Sequence, residues 1–201
     1  MKLGSIVLSS ALFASALLAT TAAPIANAPQ PKVAVIVAPG AISGVSTIIA
    51  TATVQKIDKK TREVTLKKES GEVVKIIAPQ EVRNFAQIKI GDLVTSQYTT
   101  TVDIRVVKGV SNEVGYAVQE SSSRAKLGEK PMATSTRIVS MRSKVTKIDP
   151  QTQTVTLEGQ KGNSEIVVKD PQQLAHVQVG DMVDSIASES VAISVAPAKK
   201  K

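Results

Sequence analysis

Four side chains outside the first 28 residues can offer a soft or imidazole donor to a metal: Met132, Met141, His176 and Met182. Thioether and imidazole together suit copper(I). Met182, however, stands where an internally similar segment has Leu93, and His176 stands where it has Gln87. A methionine in place of a leucine reads as core packing. Structural zinc takes four Cys or His ligands, and this chain has no Cys and one His. His176, Met141 and Met182 are therefore weak metal candidates, and no cofactor is expected.

Catalytic pairings are equally sparse. A serine nucleophile needs a base held by a third group, and His176 alone can serve as that base. Asp58 and Asp149 sit at corresponding turns, where an Asp side chain caps its own turn. Gly91-Asp92 reads as a turn, and no glycine-rich nucleotide motif is present. The expectation is a protein that is not an enzyme.

Positive charge is more abundant. The chain carries 25 Lys and Arg against 17 Asp and Glu, a formal net charge of +8. Lys2 is the one charge in the first 28 residues, so the remainder carries 24 − 17 = +7. Lys56, Lys59, Lys60, Arg62, Lys67, Lys68 and Lys75 crowd the first basic stretch. Such a cluster attracts polyanions. Nucleic acid is not the expected one, because single-strand binders add stacking aromatics. Trp is absent, and only Phe85, Tyr98 and Tyr116 remain past the leader. The plain alternative is a solvated lysine-rich hairpin.

These residues must be positioned by a body written twice. Val54-Gln-Lys-Ile-Asp-Lys-Lys-Thr-Arg-Glu-Val-Thr-Leu66 aligns with Val145-Thr-Lys-Ile-Asp-Pro-Gln-Thr-Gln-Thr-Val-Thr-Leu157, with eight of thirteen positions identical at an offset of 91. Phe85–Val94 aligns with Leu174–Val183 at an offset of 89, and Val102, Ile104 and Val106 fall on Val191, Ile193 and Val195. Period-two alternation between turn residues predicts strands over Ile48–Ile57, Glu63–Lys68 and Val73–Ile77. A short helix or helical turn is expected over Pro79–Phe85, and in the second copy after an Asp170 N-cap. Two further strands follow, near Leu93–Thr101 and Val102–Val107, with counterparts near Met182–Ala187 and Val191–Val195. Val64, Leu66, Val74, Ile76, Ile90 and Val94 should point inward, as should Val155, Leu157, Ile166, Val168, Val179 and Val183.

The fold class is mainly β. Closure would remove the edges of so small a sheet, so the expectation is two tandem five-stranded OB-like barrels, or alternatively SH3-like ones, each with one short helix. The divisions are a signal peptide at 1–28, an N-terminal extension at 29–45, a first repeat at 46–108, a linker at 109–135, a second repeat at 136–196 and a basic tail at 197–201. Within the linker region one helical turn is expected near Ala117–Lys126, and Val33–Val37 reads as a possible edge strand.

Lys2, the 13-residue apolar run Ile6–Leu18 and the small residues up to Ala28 follow the order of a secretory signal. The mature N-terminus is expected between Ala23 and Pro29, leaving no integral membrane span. The compartment is then the periplasm or the exterior.

The paired blocks, opening Val-x-x-Ile-Asp-x-x-Thr-x-x-Val-Thr-Leu and closing Ile/Val-Gly-Asp-x-Val, resemble a family of exported proteobacterial hypothetical proteins. The segment Arg124–Pro131 is similar to that family's linker. The resemblance covers most of 45–195. It implies an envelope protein of two small β modules and brings no activity and no functional residue. More distantly, the modules are similar to periplasmic OB-like barrels, some of which bind copper through His, Met and Trp. The expected function is an exported binding or scaffolding module. Its partner would be an envelope protein or an anionic polymer, and copper binding is the alternative.

Overall fold

The computed structural model describes residues 30–80, 82–111 and 113–198. The expected signal peptide and the last three lysines of the tail lie outside the described residues. The strands are β1 (Lys32–Ala38), β2 (Ala41–Asp58), β3 (Glu63–Lys68), β4 (Val73–Ile77), β5 (Leu93–Val107), β6 (Gly115–Arg124), β7 (Met132–Asp149), β8 (Thr154–Gly159), β9 (Gly162–Val167) and β10 (Met182–Ala196). The short helix expected in the first copy is not found among the described residues, where a 3₁₀ turn over Phe85–Gln87 stands in its place; the second copy has the short helix α1, Pro171–Leu174. Asp170 caps α1 by accepting the Gln172 N–H. No helix among the described residues is long and apolar enough to cross a membrane.

The protein is mainly β, and its strands form one open antiparallel sheet. The path runs β4-β3-β2-β5-β10-β7-β8-β9, with β1 on β2 and β6 on β7. Closure into two separate barrels is not seen among the described residues. The reason lies in β5 and β10, which pair with each other from Leu93–Ala196 to Val107–Met182. The outer edge of β5, which a barrel would have had to close, is satisfied by β10 instead. Each is one strand, not the expected two, because no Gly or Pro interrupts Leu93–Val107 or Met182–Ala196.

The pairing scheme is the same in both halves. Ile42 faces Ile104 across β2 and β5, and Ala133 faces Ile193 across β7 and β10. These pairs differ by the same 91 and 89 positions that relate the sequence blocks. Both long strands also shift register once, between Val54 and Lys56 and between Val145 and Lys147. A bulge of this kind bends a strand. Most of each strand before the bulge lies in the central platform, while Ala52–Asp58 and Lys144–Asp149 pair with β3 and β8 in the meanders β2-β3-β4 and β7-β8-β9.

Two small cores lie under the meanders. The first gathers Val54, Val64, Leu66, Ala78, Phe85 and Ile88, with Val94 and Val195 packed against it. The second gathers Val145, Val155, Leu157 and Val183, with Ile104, Val106, Ile166 and Val168 against it. Three residues expected inside are exposed: Ile76, Ile90 and Val179. Ile90 and Val179 ride on turns closed by Asp92, which accepts the Lys89 N–H, and Asp181, which accepts the Gln178 N–H. Ile88 and Val177, two residues earlier, take the inward place.

The region expected to be a linker contains β6, and the expected helical turn near Ala117–Lys126 is absent. Tyr116 to Arg124 pairs with β7 residue for residue. The exposed edge of β7 offers backbone partners that a polar, small-residue segment accepts as readily as an apolar one. Likewise β1 pairs with β2 through the two-residue turn Pro39-Gly40, where Gly40 takes φ 66°.

Candidate functional site

Alternation along β3 sends Val64 and Leu66 into the core and Thr65 and Lys67 to the other side. Thr65 faces Lys56 on β2 and Lys75 on β4, so the three form one row across the outer face. Thr65 is 8% exposed, flanked by the two lysines. The next row holds Thr53, Lys67 and Val73. An open groove of about 620 Å³ runs over this face, lined by Gln55, Lys56, Asp58, Glu63, Thr65, Lys67 and Lys75 among others. Lys75 reaches Glu63 at 3.2 Å. Lys56 and Lys67 are exposed.

The remaining basic candidates divide. Lys59 and Lys60 stand at the exposed tip of the β2–β3 turn. Asp58 shapes that tip by accepting the N–H groups of Lys60 at 2.8 Å and Thr61 at 3.2 Å. The Thr61 and Lys60 amides hold the Asp58 carboxyl below the usual range. Asp149 is lowered in the same way, first by Thr152. Lys68 has the parity of Leu66, not of Lys67, and pairs with Glu72 at 3.0 Å.

Arg62 is directed away from the groove. With φ 60° it donates to the carbonyl oxygens of Ala78 (2.8 Å), Pro79 (2.7 Å) and Val82 (3.2 Å). Its guanidinium lies 4.4 Å from the centre of the Phe85 ring. It ties the Pro79–Phe85 segment to the hairpin and is not available to a polyanion.

The second meander repeats the geometry without the charge. Its first row is Lys147, Thr156 and Glu165, and its second is Lys144, Glu158 and Asn163. Two lysines there meet two glutamates. The first meander carries Lys56, Lys67 and Lys75, with Lys59 and Lys60 beside them, against Asp58 and Glu63.

The metal candidates are not brought together. Met182 is 1% exposed. Met141 faces Ser185 across β7 and β10, three positions from Met182, which places the two methionines on opposite faces of the sheet. His176 is exposed beyond α1. No group of three or more His, Cys, Asp or Glu side chains fit to hold a metal occurs among the described residues.

Two polar contacts between the halves escape a reading of the sequence. Lys130, in the loop between β6 and β7, donates to the buried carboxylate of Asp92 and to the Gln87 carbonyl. In the other direction the Gly40 N–H donates to Gln173 of α1 at 3.2 Å. Neither has a local signal, because 38 and 133 residues separate the partners. On the platform Arg142 binds Asp184 in a two-pronged pair of 2.6 and 2.7 Å. That hydrogen bond lowers the Asp184 carboxyl and raises the guanidinium.

Compared with models of protein families, with curated proteins and with solved structures, the chain matches none.

Proposed function

We propose that the protein is an exported, non-enzymatic binding module of the cell envelope, and that it takes an anionic polymer along the outer face of its first meander. One observation carries this reading. Lys56, Lys67 and Lys75 share one open groove that Asp58 and Glu63 offset only in part, whereas on the corresponding face of the second meander Glu158 and Glu165 match Lys144 and Lys147. A duplicated scaffold with one basic copy fits a binding face supported by a structural twin. The shared registers, and the bulges after Val54 and Val145, support reading the halves as two copies of one module.

The test uses the full chain and alginate, a polyuronate, as probe. Retention on immobilised alginate should weaken steeply with salt, because screening shortens the reach of exposed charges to about 8 Å at physiological ionic strength. The triple variant Lys56→Glu, Lys67→Glu, Lys75→Glu should lose retention, and Lys147→Glu should keep it. Retention that ignores salt, or that survives the triple variant, overturns the reading.

A further inference from the structure

Four strands form the outer edges of the sheet: β4 and β9 at the ends of the path, and β1 and β6 flanking the platform. Three of them carry a charge in mid-strand, Lys75 on β4, Glu120 on β6 and Glu165 on β9. Charges there keep sheet edges from pairing with other chains. β1 has none. Its sequence is Lys-Val-Ala-Val-Ile-Val-Ala, with the one charge at its first residue.

β1 is also apolar on both faces. Val33, Val35 and Val37 lie on one side, and Ala34, Ile36 and Ala38 on the other. Strands of this pattern are usually covered on both sides. Yet all seven residues are exposed, with Ile36 at 71% and Val33 at 63%. Among the described residues, nothing pairs with the edge of β1 that faces away from β2.

We infer that β1 is a dimerisation edge, and that its occupant is β1 of a second copy in antiparallel pairing centred on Val35. The sequence is self-complementary in that register. Val33 meets Val37, Ala34 meets Ile36, and Lys32 meets Ala38. The two Lys32 charges then lie at opposite ends, about 20 Å apart at 3.4 Å per residue. Parallel pairing would instead set them side by side. Pairing with β6 of another copy would set Val and Ile against Glu120 and three serines. Because the contact is isologous, it closes at two copies and does not propagate. It joins the two platforms into one continuous sheet and places two basic grooves in one particle. The inference does not rest on the anionic-polymer reading.

The full chain has no cysteine, which makes the test clean. Sedimentation at micromolar concentration should find a dimer. Val35→Cys should lock it as a disulfide-linked dimer under mild oxidation, whereas Ser122→Cys on β6 should not cross-link. Val35→Lys should give a folded monomer by circular dichroism, and mixing it with Val35→Glu should restore a dimer containing one of each. A monomeric parent chain, a dimer that survives Val35→Lys, or cross-linking through Ser122→Cys overturns the proposal. Failure of alginate retention with the dimer intact would count only against the groove.

Discussion

Val106 and Val195 hold corresponding places at the far ends of β5 and β10, and each packs against the core of the other half. Their backbones are fixed alike. The Val106 N–H donates to the Gly40 carbonyl at 2.8 Å, and the Val195 N–H donates to the Pro131 carbonyl at 2.9 Å. The two halves thus exchange strand ends across the β5–β10 pairing. Neither core is complete without the other half.

This exchange should make unfolding one cooperative event. Val106→Ala and Val195→Ala should each lower stability by about 1–2 kcal/mol, for the loss of two carbons at ~0.8 kcal/mol per buried CH₂. Urea denaturation followed by circular dichroism should show a single transition in both variants. Two separated transitions would mean that the halves stand alone.

Arg62 should matter for stability and not for binding. Hydrogen bonds from charged donors contribute about 1.5–3 kcal/mol. Its groups are partly exposed, so Arg62→Ala should cost near the lower end, about 1.5–2 kcal/mol in urea. Alginate retention at the same protein concentration should be unchanged. A fall in retention by the folded variant would return Arg62 to the binding face.

Lys130→Ala should be more disruptive than its position in a loop suggests. The Asp92 side chain is 5% exposed, and Lys130 is its ion-pair partner. A fully buried pair that loses one member costs about 3–5 kcal/mol, because a charge is left uncompensated. Lys130 is 24% exposed and Asp92 keeps the Lys89 N–H, so Lys130→Ala should cost less, about 1–3 kcal/mol. Lys75→Ala, which breaks an exposed pair, should cost no more than about 1 kcal/mol. Equal midpoints for the two variants would contradict this.

The acid arm of stability should trace to the turn carboxylates and to Asp184. The folded-state pKa values of Asp58, Asp149 and Asp184 are depressed. Their contribution is present above the unfolded value of about 3.9 and is lost as pH falls through the lower folded values. Urea midpoints should therefore fall below roughly pH 4. In the double variant Asp58→Asn, Asp149→Asn the fall should be shallower, since Asn still caps the turns but does not titrate there. An unchanged slope would place the acid sensitivity elsewhere.

Binding should be transferable to the second half. Glu158→Lys with Glu165→Lys makes both rows of that face basic, on the same register as the first. Alginate retention should then persist to higher salt than in the parent chain. No gain in the double variant would mean that charge alone does not make the site.

The sequence by itself determined the meander strands and the turn caps, but not the single long strands β5 and β10 or the strand β6. Alternation marked out β3 and β4 to the residue and set Val64, Leu66, Val155 and Leu157 inward. Asp58, Asp149 and Asp170 cap the turns and the helix their neighbours imply. These are short-range effects, fixed by period-two geometry and by side chains reaching their own backbone. Only the tertiary structure decided which strand edges meet. An edge carries the same donors and acceptors whatever its sequence, so nothing in Leu93–Val107 announces that, with β2 on one side, its other edge takes β10 and does not close on β4 of its own meander. The same neutrality allowed the polar segment Gly115–Arg124 to become β6. Arg62 shows the other limit. Lys59 and Lys60 stand just before it in the chain, but the left-handed turn it occupies aims its guanidinium at the carbonyls of Ala78, Pro79 and Val82, a direction no charge pattern records.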